Sequence, residues 1–285
     1  MALLTRRHKQ NVAGEFYVDT SCIDCDLCRQ IAPHTFNDVG DQSVVYRQPE
    51  SESDVSEALK ALVTCPTASI GTTTNRSAKD AVAAYPDPIE EPVYFCGFAA
   101  ESSFGASSYL IVRPEGNVLV DSPRFVRPLA DRIRQMGGIR YIFLTHRDDV
   151  ADHRQWAKEF GAEHIMHKDD AGRLRSGVEH LIEGSGPNAF QPDLLVIPTP
   201  GHTRGHMVLL YKQFLFTGDH LWWSDNFHSL HASRGVCWYS WEEQTKSMQK
   251  LLDYRFEWVL PGHGRRAHAT ADQMQAYLKE CLSRM

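Results

Sequence analysis

The sequence predicts two domains of unequal size, a small cysteine-bearing N-terminal one and a larger α/β layered one. Three observations lead to this. The chain has 285 residues, long for one typical domain and comfortable for two. Four of its seven cysteines fall within the first 65 residues. Beyond Pro92, short β-type runs alternate with helical ones, the pattern of an α/β layered domain. Gly71 to Pro92 is rich in Thr, Ser, Ala, Pro and Asp with few large apolar side chains, and reads as connecting chain. The boundaries are drawn at 1–75 for the first domain, 76–92 for the linker and 93–285 for the second domain.

In the second domain, Tyr109-Leu110-Ile111-Val112 and Val118-Leu119-Val120 flank the turn Pro114-Glu115-Gly116-Asn117, which predicts a hairpin. Leu129 to Met136 reads as a helix ended by Gly137-Gly138, since glycine supplies the left-handed residue that closes a helix. Tyr141 to Leu144 is a buried strand running into Thr145-His146. A helix through Trp156 to Phe160 ends at Gly161, and His164-Ile165-Met166 begins the next strand. Further strands are predicted at 194–197, 207–211, 214–216 and 258–260, and a closing helix at 271–282.

With 42% hydrophobic and 23% charged residues the chain is ordinary globular material. A net charge of −6 gives no reason to expect nucleic acid or an anionic membrane as partner. No run approaches the roughly 18 apolar residues of a membrane span. The basic N-terminus (Arg6, Arg7, Lys9) has only Ala2-Leu3-Leu4 as an apolar run, too short for a secretory signal, so a cytoplasmic protein is expected. In that setting seven cysteines point to metal ligands or free thiols rather than disulfides.

Cys22-Ile-Asp-Cys25-Asp-Leu-Cys28 places three thiolates at two-residue spacing, and Cys65-Pro66 supplies a fourth. Such a loop converges on the corners of one cubane while a distant cysteine completes it. A Cys₄ zinc knot is the other reading, but zinc sites more often come as two separated CxxC pairs. The spacing resembles single-cluster bacterial ferredoxins over about residues 14 to 73, including Ala32-Pro33 and Phe36. In that family, aspartate at the second position goes with a three-iron cluster; Cys25 stands there, so the resemblance implies a [4Fe–4S] cluster. Asp24, Asp26, Asp38 and Asp41 read as solvated loop, and Cys96, Cys237 and Cys281 as small core or surface residues.

Four further motifs sit at predicted strand ends: Thr145-His146, Pro200-Gly201-His202-Thr203, Gly218-Asp219 and Pro261-Gly262-His263-Gly264. Loops at strand ends let side chains distant in sequence meet, and glycine beside three of them permits close backbone approach. Imidazole with carboxylate suits zinc, iron or manganese.

The order and wording of these motifs resemble the metallo-β-lactamase superfamily over roughly residues 93 to 266, with TPGHT-x-GH, F-TGD and PGHG closest to glyoxalase II-type hydrolases. The resemblance implies an α+β ferredoxin-like domain followed by an αββα metallo-β-lactamase sandwich. It implies His202 and His263 as terminal ligands, Asp219 as the bridge between two metals, His206 as a structural group and Asp121 as a supporting aspartate. His167 reads as a strand-end histidine rather than a ligand.

The family's first motif, T-H-x-H-x-D-H, is altered to Thr145-His146-Arg147-Asp148-Asp149-Val150-Ala151-Asp152-His153. Without a gap, Asp148 takes the second histidine position, as a carboxylate does in flavodiiron proteins. With a two-residue insertion, Asp152-His153 recovers the missing pair, and Asp148 or Asp149 supplies the carboxylate. Asp149 can equally cap a helix starting there, with Asp152 adding charge to its first turn. The expected metal ligands are therefore His146, Asp148, Asp152, His153, His202, Asp219 and His263, with Asp152 and Asp219 in catalytic roles. The expected cofactors are a [4Fe–4S] cluster on Cys22, Cys25, Cys28 and Cys65 and one or two zinc or iron ions.

Such a centre would activate water against a thioester, lactone or similar acyl compound. Because hydrolysis needs no electrons, the iron–sulfur domain also supports an iron-dependent oxidoreductase fed by the cluster. A non-catalytic redox protein with a degenerate metal site is a further reading. The expected partners are a small-molecule substrate and a redox partner protein, with neither nucleic acid nor membrane. The aromatics between His220 and Trp241 (Trp222, Trp223, Phe227, Trp238, Tyr239) either line a substrate pocket or cover the core.

Overall fold

The computed structural model describes residues 2–74 and 76–285; Met1 and Asn75, the ends of the expected first domain, lie outside them. The chain forms two compact units. The first takes in the chain up to Val118, Ser122–Ile139 and Ala151–Phe160; the second takes in Leu119–Asp121, Arg140–Val150 and Gly161–Met285.

The first unit begins with β1 (Phe16–Val18), α1 (Leu27–Ile31), β2 (Phe36–Asp38), β3 (Ser43–Val45), α2 (Glu52–Thr64) and β4 (Ile70–Thr72). Strands β1 and β4 pair antiparallel, as do β2 and β3. A capping box starts α2: the Ser51 hydroxyl accepts from Asp54 N–H while the Asp54 carboxylate accepts from Ser51 N–H. The helix ends on Cys65, and Pro66 cannot continue it, so Cys65 is delivered at a fixed turn.

The stretch expected as a linker is folded. It holds α3 (Lys79–Ala83) and β5 (Asp87–Glu90), which pairs antiparallel with β6 (Val93–Phe95), itself paired with β7 (Tyr109–Ile111). Strand pairing, the Lys60–Asp87 ion pair and one buried ring anchor it. Tyr85 is buried edge-on to Phe95 and Phe98, with centroids 5.9 and 5.6 Å away, and its hydroxyl lies 2.6 Å from Thr64 Oγ1. β8 (Val118–Val120) leads out of this unit. Helices α4 (Arg127–Gln135) and α5 (His153–Phe160) belong to it. Gly138, at φ 76°, donates to Ile133 O and closes α4 as expected. Trp156 of α5 is fully buried, and its Nε1 donates to Pro123 O at 2.9 Å.

In the second unit β9 (Tyr141–Phe143), β10 (Glu163–His167) and β11 (His180–Ile182) run parallel, with α6 (Lys168–Ala171) following β10. A six-stranded sheet is built from β12 (Asn188–Gln191), β13 (Leu194–Pro198), β14 (Met207–Tyr211), β15 (Phe214–Gly218), β18 (Trp258–Pro261) and β19 (Ala267–His268), in that spatial order. A separate ribbon pairs β16 (Trp222–Ser224) with β17 (Ser229–His231). The sheet packs on α7 (Trp241–Leu251) and α8 (Ala271–Ser283): Ile197, Val208, Leu215 and Val259 form one core with Met248, Leu251, Met274 and Leu278. Cys281 joins that core and Cys96 is fully buried, both as small apolar residues. No helix among the described residues is long and apolar enough to cross a membrane.

Candidate metal centre

Four strands of the second unit end in loops that supply polar side chains to one place. β9 leads to His146, Asp148 and Asp149; β13 leads to His202; β15 ends at Asp219; β18 ends before His263. Two groups of three donors lie within 4.8 Å of one another: His146 with Asp148 and His202, and His146 with Asp149 and Asp219. Asp219 touches both sides. Its Oδ2 is 3.7 Å from His146 Nε2 and 3.6 Å from His202 Nε2, while its Oδ1 is 2.8 Å from His263 Nδ1. Asp148 Oδ2 reaches 3.6 Å from His202 Nε2 from the solvent side, its side chain 47% exposed. Asp149 is 1% exposed; its Oδ2 stands 3.9 Å from both His146 Nε2 and His263 Nδ1.

Glycine permits this crowding. A Cβ at Gly262 would lie 2.6 Å from Asp149 Oδ2 and 2.9 Å from Asp219 Oδ1. At Gly218, φ 49°, it would meet Thr145 Oγ1 and His206 Nε2 at 2.7 Å.

Hydrogen bonds set the imidazole tautomers. His202 Nδ1 lies 2.5 Å from Val236 O, an atom that only accepts, so Nδ1 carries the proton and Nε2 offers its lone pair. The Thr145 hydroxyl donates to the buried Asp121 carboxylate and so accepts from His146 Nδ1 at 2.9 Å, freeing Nε2 in the same way. Asp121 thus supports the site through Thr145. Asp170, which no motif marks, accepts from Arg147 N–H (3.2 Å), Gly205 N–H (2.8 Å) and the Thr203 hydroxyl, tying the His146 loop to the His202 loop. His206 Nδ1 meets Thr199 Oγ1 at 2.9 Å, and its ring stacks on His220 at 4.0 Å. His167 Nε2 meets Gly184 O at 3.0 Å.

The electrostatics call for a cation. Burial, reinforced by the Asp219 charge, holds the Asp149 carboxyl well above the usual range. Burial lifts Asp121 to about 7 against the Thr145 hydrogen bonds. Burial also lowers His146 to about 4, with Asp219 opposing it. Against its own burial, Asp219 is held low by the neighbouring His263, His146 and His202. A hydrogen bond to His202 lowers Asp148. Among the described residues, Nε2 of His146 and of His202 and Oδ2 of Asp149 are buried with no hydrogen-bond partner. Such atoms are costly unless a ligand takes them up. The donor set therefore fits a zinc or iron ion.

The other two sequence candidates, Asp152 and His153, are in neither group of donors. Asp152 and His153 belong to the first unit, where Asp152 Oδ2 accepts from Phe125 N–H at 2.7 Å and His153 is buried at the start of α5. The helix begins only at His153, so Asp149 is not its cap. Asp149, which the sequence offers as an alternative to Asp148 or as a helix cap, is a buried acid beside His146 and His263. The 220–241 aromatics divide: Trp223 packs on Tyr277 and Trp241 bonds Met285 O, while Trp238 and Tyr239 are exposed.

In the first unit Cys22, Cys25, Cys28 and Cys65 line one small cavity with Val18, Leu27 and Ile70. The Cys22 and Cys65 sulfurs accept from Ser43 and Ser69 N–H at 3.4 and 3.3 Å. Burial pushes the Cys25 thiol up to about 12, with Cys65 and Cys22 adding to it, and burial raises Cys28 as well. Four crowded thiolates are tolerable only around bound cations, which fits an iron–sulfur cluster.

Residues 18–72 match the 4Fe-4S single cluster domain of Ferredoxin I, and residues 103–263 match the Metallo-beta-lactamase superfamily. The chain is 30% identical over 136 residues to a hydroxyacylglutathione hydrolase of Rhodospirillum rubrum, covering 46% of this chain and 53% of that protein. It is 30% identical over 138 residues to the uncharacterized protein YmaE of Bacillus subtilis, covering 46% and 50%. The chain spans about half the length of the curated relatives it matches. Among solved structures, the DIM-1 metallo-beta-lactamase exposed to ceftazidime superposes with a TM-score of 0.53 at 16% identity, over 70% of this chain and 95% of that one. The BLEG-1 B3 metallo-beta-lactamase gives 0.52 at 16%, over 66% and 99%. These likenesses show the fold, and with it a ferredoxin-like domain at the N-terminal side. With more than half of its length matched, the chain belongs to the metallo-beta-lactamase superfamily.

Proposed function

We propose that this chain is a metal-dependent hydrolase of a small acyl compound, a thioester, lactone or similar ester, accompanied by a [4Fe–4S] cluster with an electron-transfer or regulatory role. One observation supports it most: Asp219 places one carboxylate oxygen near His146 and His202 and the other against His263, so a single carboxylate stands between both sets of donors. His146, Asp148, His202 and Asp219 would hold one ion, and Asp149, Asp219 and His263 a second. A zinc or iron ion held there would supply a Lewis acid and lower the pKa of a water towards about 7. Hydrolysis would then add water across the acyl carbon, breaking the C–S or C–O bond and releasing an acid and a thiol or alcohol. Val236 O and Thr145 fix the two imidazoles in the tautomer that this needs. The likeness to hydroxyacylglutathione hydrolases favours a thioester.

The experiment is hydrolysis of a panel of acyl thioesters and lactones by the zinc-loaded and iron-loaded full chain, with His202→Ala as control. Turnover that disappears in His202→Ala supports the reading; equal rates in both proteins sink it. The donor set also supports a second reading. Three carboxylates, Asp148, Asp149 and Asp219, accompany three imidazoles, and oxygen-rich sites suit iron or manganese better than thiolate-rich ones do. Two further irons with oxidase or reductase activity, and no hydrolysis, would favour an iron-dependent oxidoreductase fed by the cluster.

A further inference from the structure

We propose that the iron–sulfur site extends beyond the ferredoxin-matching residues 18–72, and that Gly105 is part of it, closing the face of the cluster ligand Cys25. Gly105 lies in the turn before β7, in the segment that matches the hydrolase superfamily. Its φ is +85°, and a Cβ there would lie 2.6 Å from Cys25 Cβ, 3.1 Å from Cys25 Sγ and 3.2 Å from Pro66 Cγ. Two cluster-bearing loops, the one holding Cys25 and the one holding Cys65-Pro66, therefore meet the same glycine. No other residue fits that gap without moving a ligand.

The turn has little freedom to retreat. Gly105 N–H donates to Ala100 O at 2.9 Å, and Ala106 N–H donates to Ser103 O at 2.9 Å. Ala99 N–H donates to Thr64 O at 3.1 Å, tying the segment to the last residue of α2, directly before Cys65. Phe98 O accepts from Arg124 N–H at 2.8 Å. Phe98, Ala99, Ala100 and Ala106 are all buried. A side chain at position 105 would thus press on Cys25 rather than on a yielding loop. By covering that thiolate, the turn also excludes water from one side of the cluster, and solvent exposure is one of the levers on cluster potential. The cysteine-bearing chain and the 98–106 segment belong to the same compact unit.

The test compares Gly105→Ala and Gly105→Val with Gly40→Ala in the anaerobically purified full chain. Gly40 also has positive φ (+102°), but a Cβ there meets nothing within 4 Å, so its substitution imposes backbone strain without crowding. Iron, labile sulfide, the cluster's EPR signal and its midpoint potential are measured, with far-UV circular dichroism and the metal bound by the His146–His202 centre as controls for folding. Gly105→Val is expected to lose at least half of its cluster iron and sulfide. Gly105→Ala should lose less and shift the potential of what remains, and Gly40→Ala should keep the full cluster; all three should keep their second metal. Two results would overturn the proposal. One is a Gly105→Ala protein with full cluster content and unchanged EPR and potential. The other is equal loss in Gly105→Ala and Gly40→Ala, which would make strain rather than contact the cause.

Discussion

Asp149 Oδ2 stands 3.9 Å from His146 Nε2, buried and without a hydrogen-bond partner. A buried carboxylate in that state is stable only if protonated or if it holds a cation. Asp149→Asn should therefore lower metal content by about one ion per chain and reduce turnover more than about 100-fold, read by metal analysis and steady-state kinetics. Full metal content in the variant would show that Asp149 is no ligand.

Asp121 reaches His146 only through Thr145. Removing such a positioning group costs about 10- to 100-fold in metal affinity. Asp121→Asn and Thr145→Val should show that loss in competition with a chromophoric chelator while retaining some activity at saturating metal. A pair of losses that add fully in the double variant would argue against a single relay.

The metal-free protein should show an unusual pH dependence. Burial raises Asp121 from 3.8 to about 7. A raised folded pKa gives stability that is complete below the unfolded value and lost as pH climbs through the folded one. After chelation, wild type should therefore lose melting temperature relative to Asp121→Asn between about pH 4 and pH 7. His146, lowered to about 4 by burial, acts in the opposite sense in both proteins. A constant difference across that range would show that Asp121 is not held protonated.

Much of this was legible in sequence because the chemistry sits in short motifs. The CxxCxxC run and Cys65-Pro66 define one cavity, and four strand-end motifs supply His146, His202, Asp219 and His263. What was not legible depended on backbone path. Asp149 stands where it could cap a helix, with Asp152 in its first turn, but the helix starts at His153 and Ala151 adopts φ 33°. That turn separates Asp149 from the pair that follows it. Asp170 carries no motif because its role is three hydrogen bonds to other loops. The 76–92 stretch looked like linker because composition averages over Tyr85, whose buried ring holds the stretch in place.

Trp238 is 63% exposed, with its ring centroid 6.1 Å from that of His202. Its backbone is fixed, since Trp238 N–H donates to His202 O at 3.0 Å. An exposed aromatic on a fixed backbone beside the centre suits the apolar part of an acyl substrate. Trp238→Ala should raise KM about 10-fold for a phenylalkyl thioester while leaving kcat and the KM of an acetyl thioester within about 2-fold. Equal effects on both substrates would remove that role.

Trp156 is wholly enclosed and bonded to Pro123 O. Trp156→Phe should cost about 1–3 kcal/mol through the lost hydrogen bond and volume, and Trp156→Ala about 3–5 kcal/mol, measured by denaturant unfolding of the loaded protein. Unchanged stability in Trp156→Ala would contradict the packing described for α5.

The most direct test of the whole account is metal and sulfide analysis of the anaerobically purified full chain beside its His202→Ala variant. The account predicts four irons and four sulfides per chain from the cluster, as the single-cluster 4Fe-4S match implies, in both proteins. It predicts one or two further zinc or iron ions in the native chain and a loss of at least one of them in the variant. A native chain with no metal beyond the cluster, or a variant that keeps every ion, would contradict it.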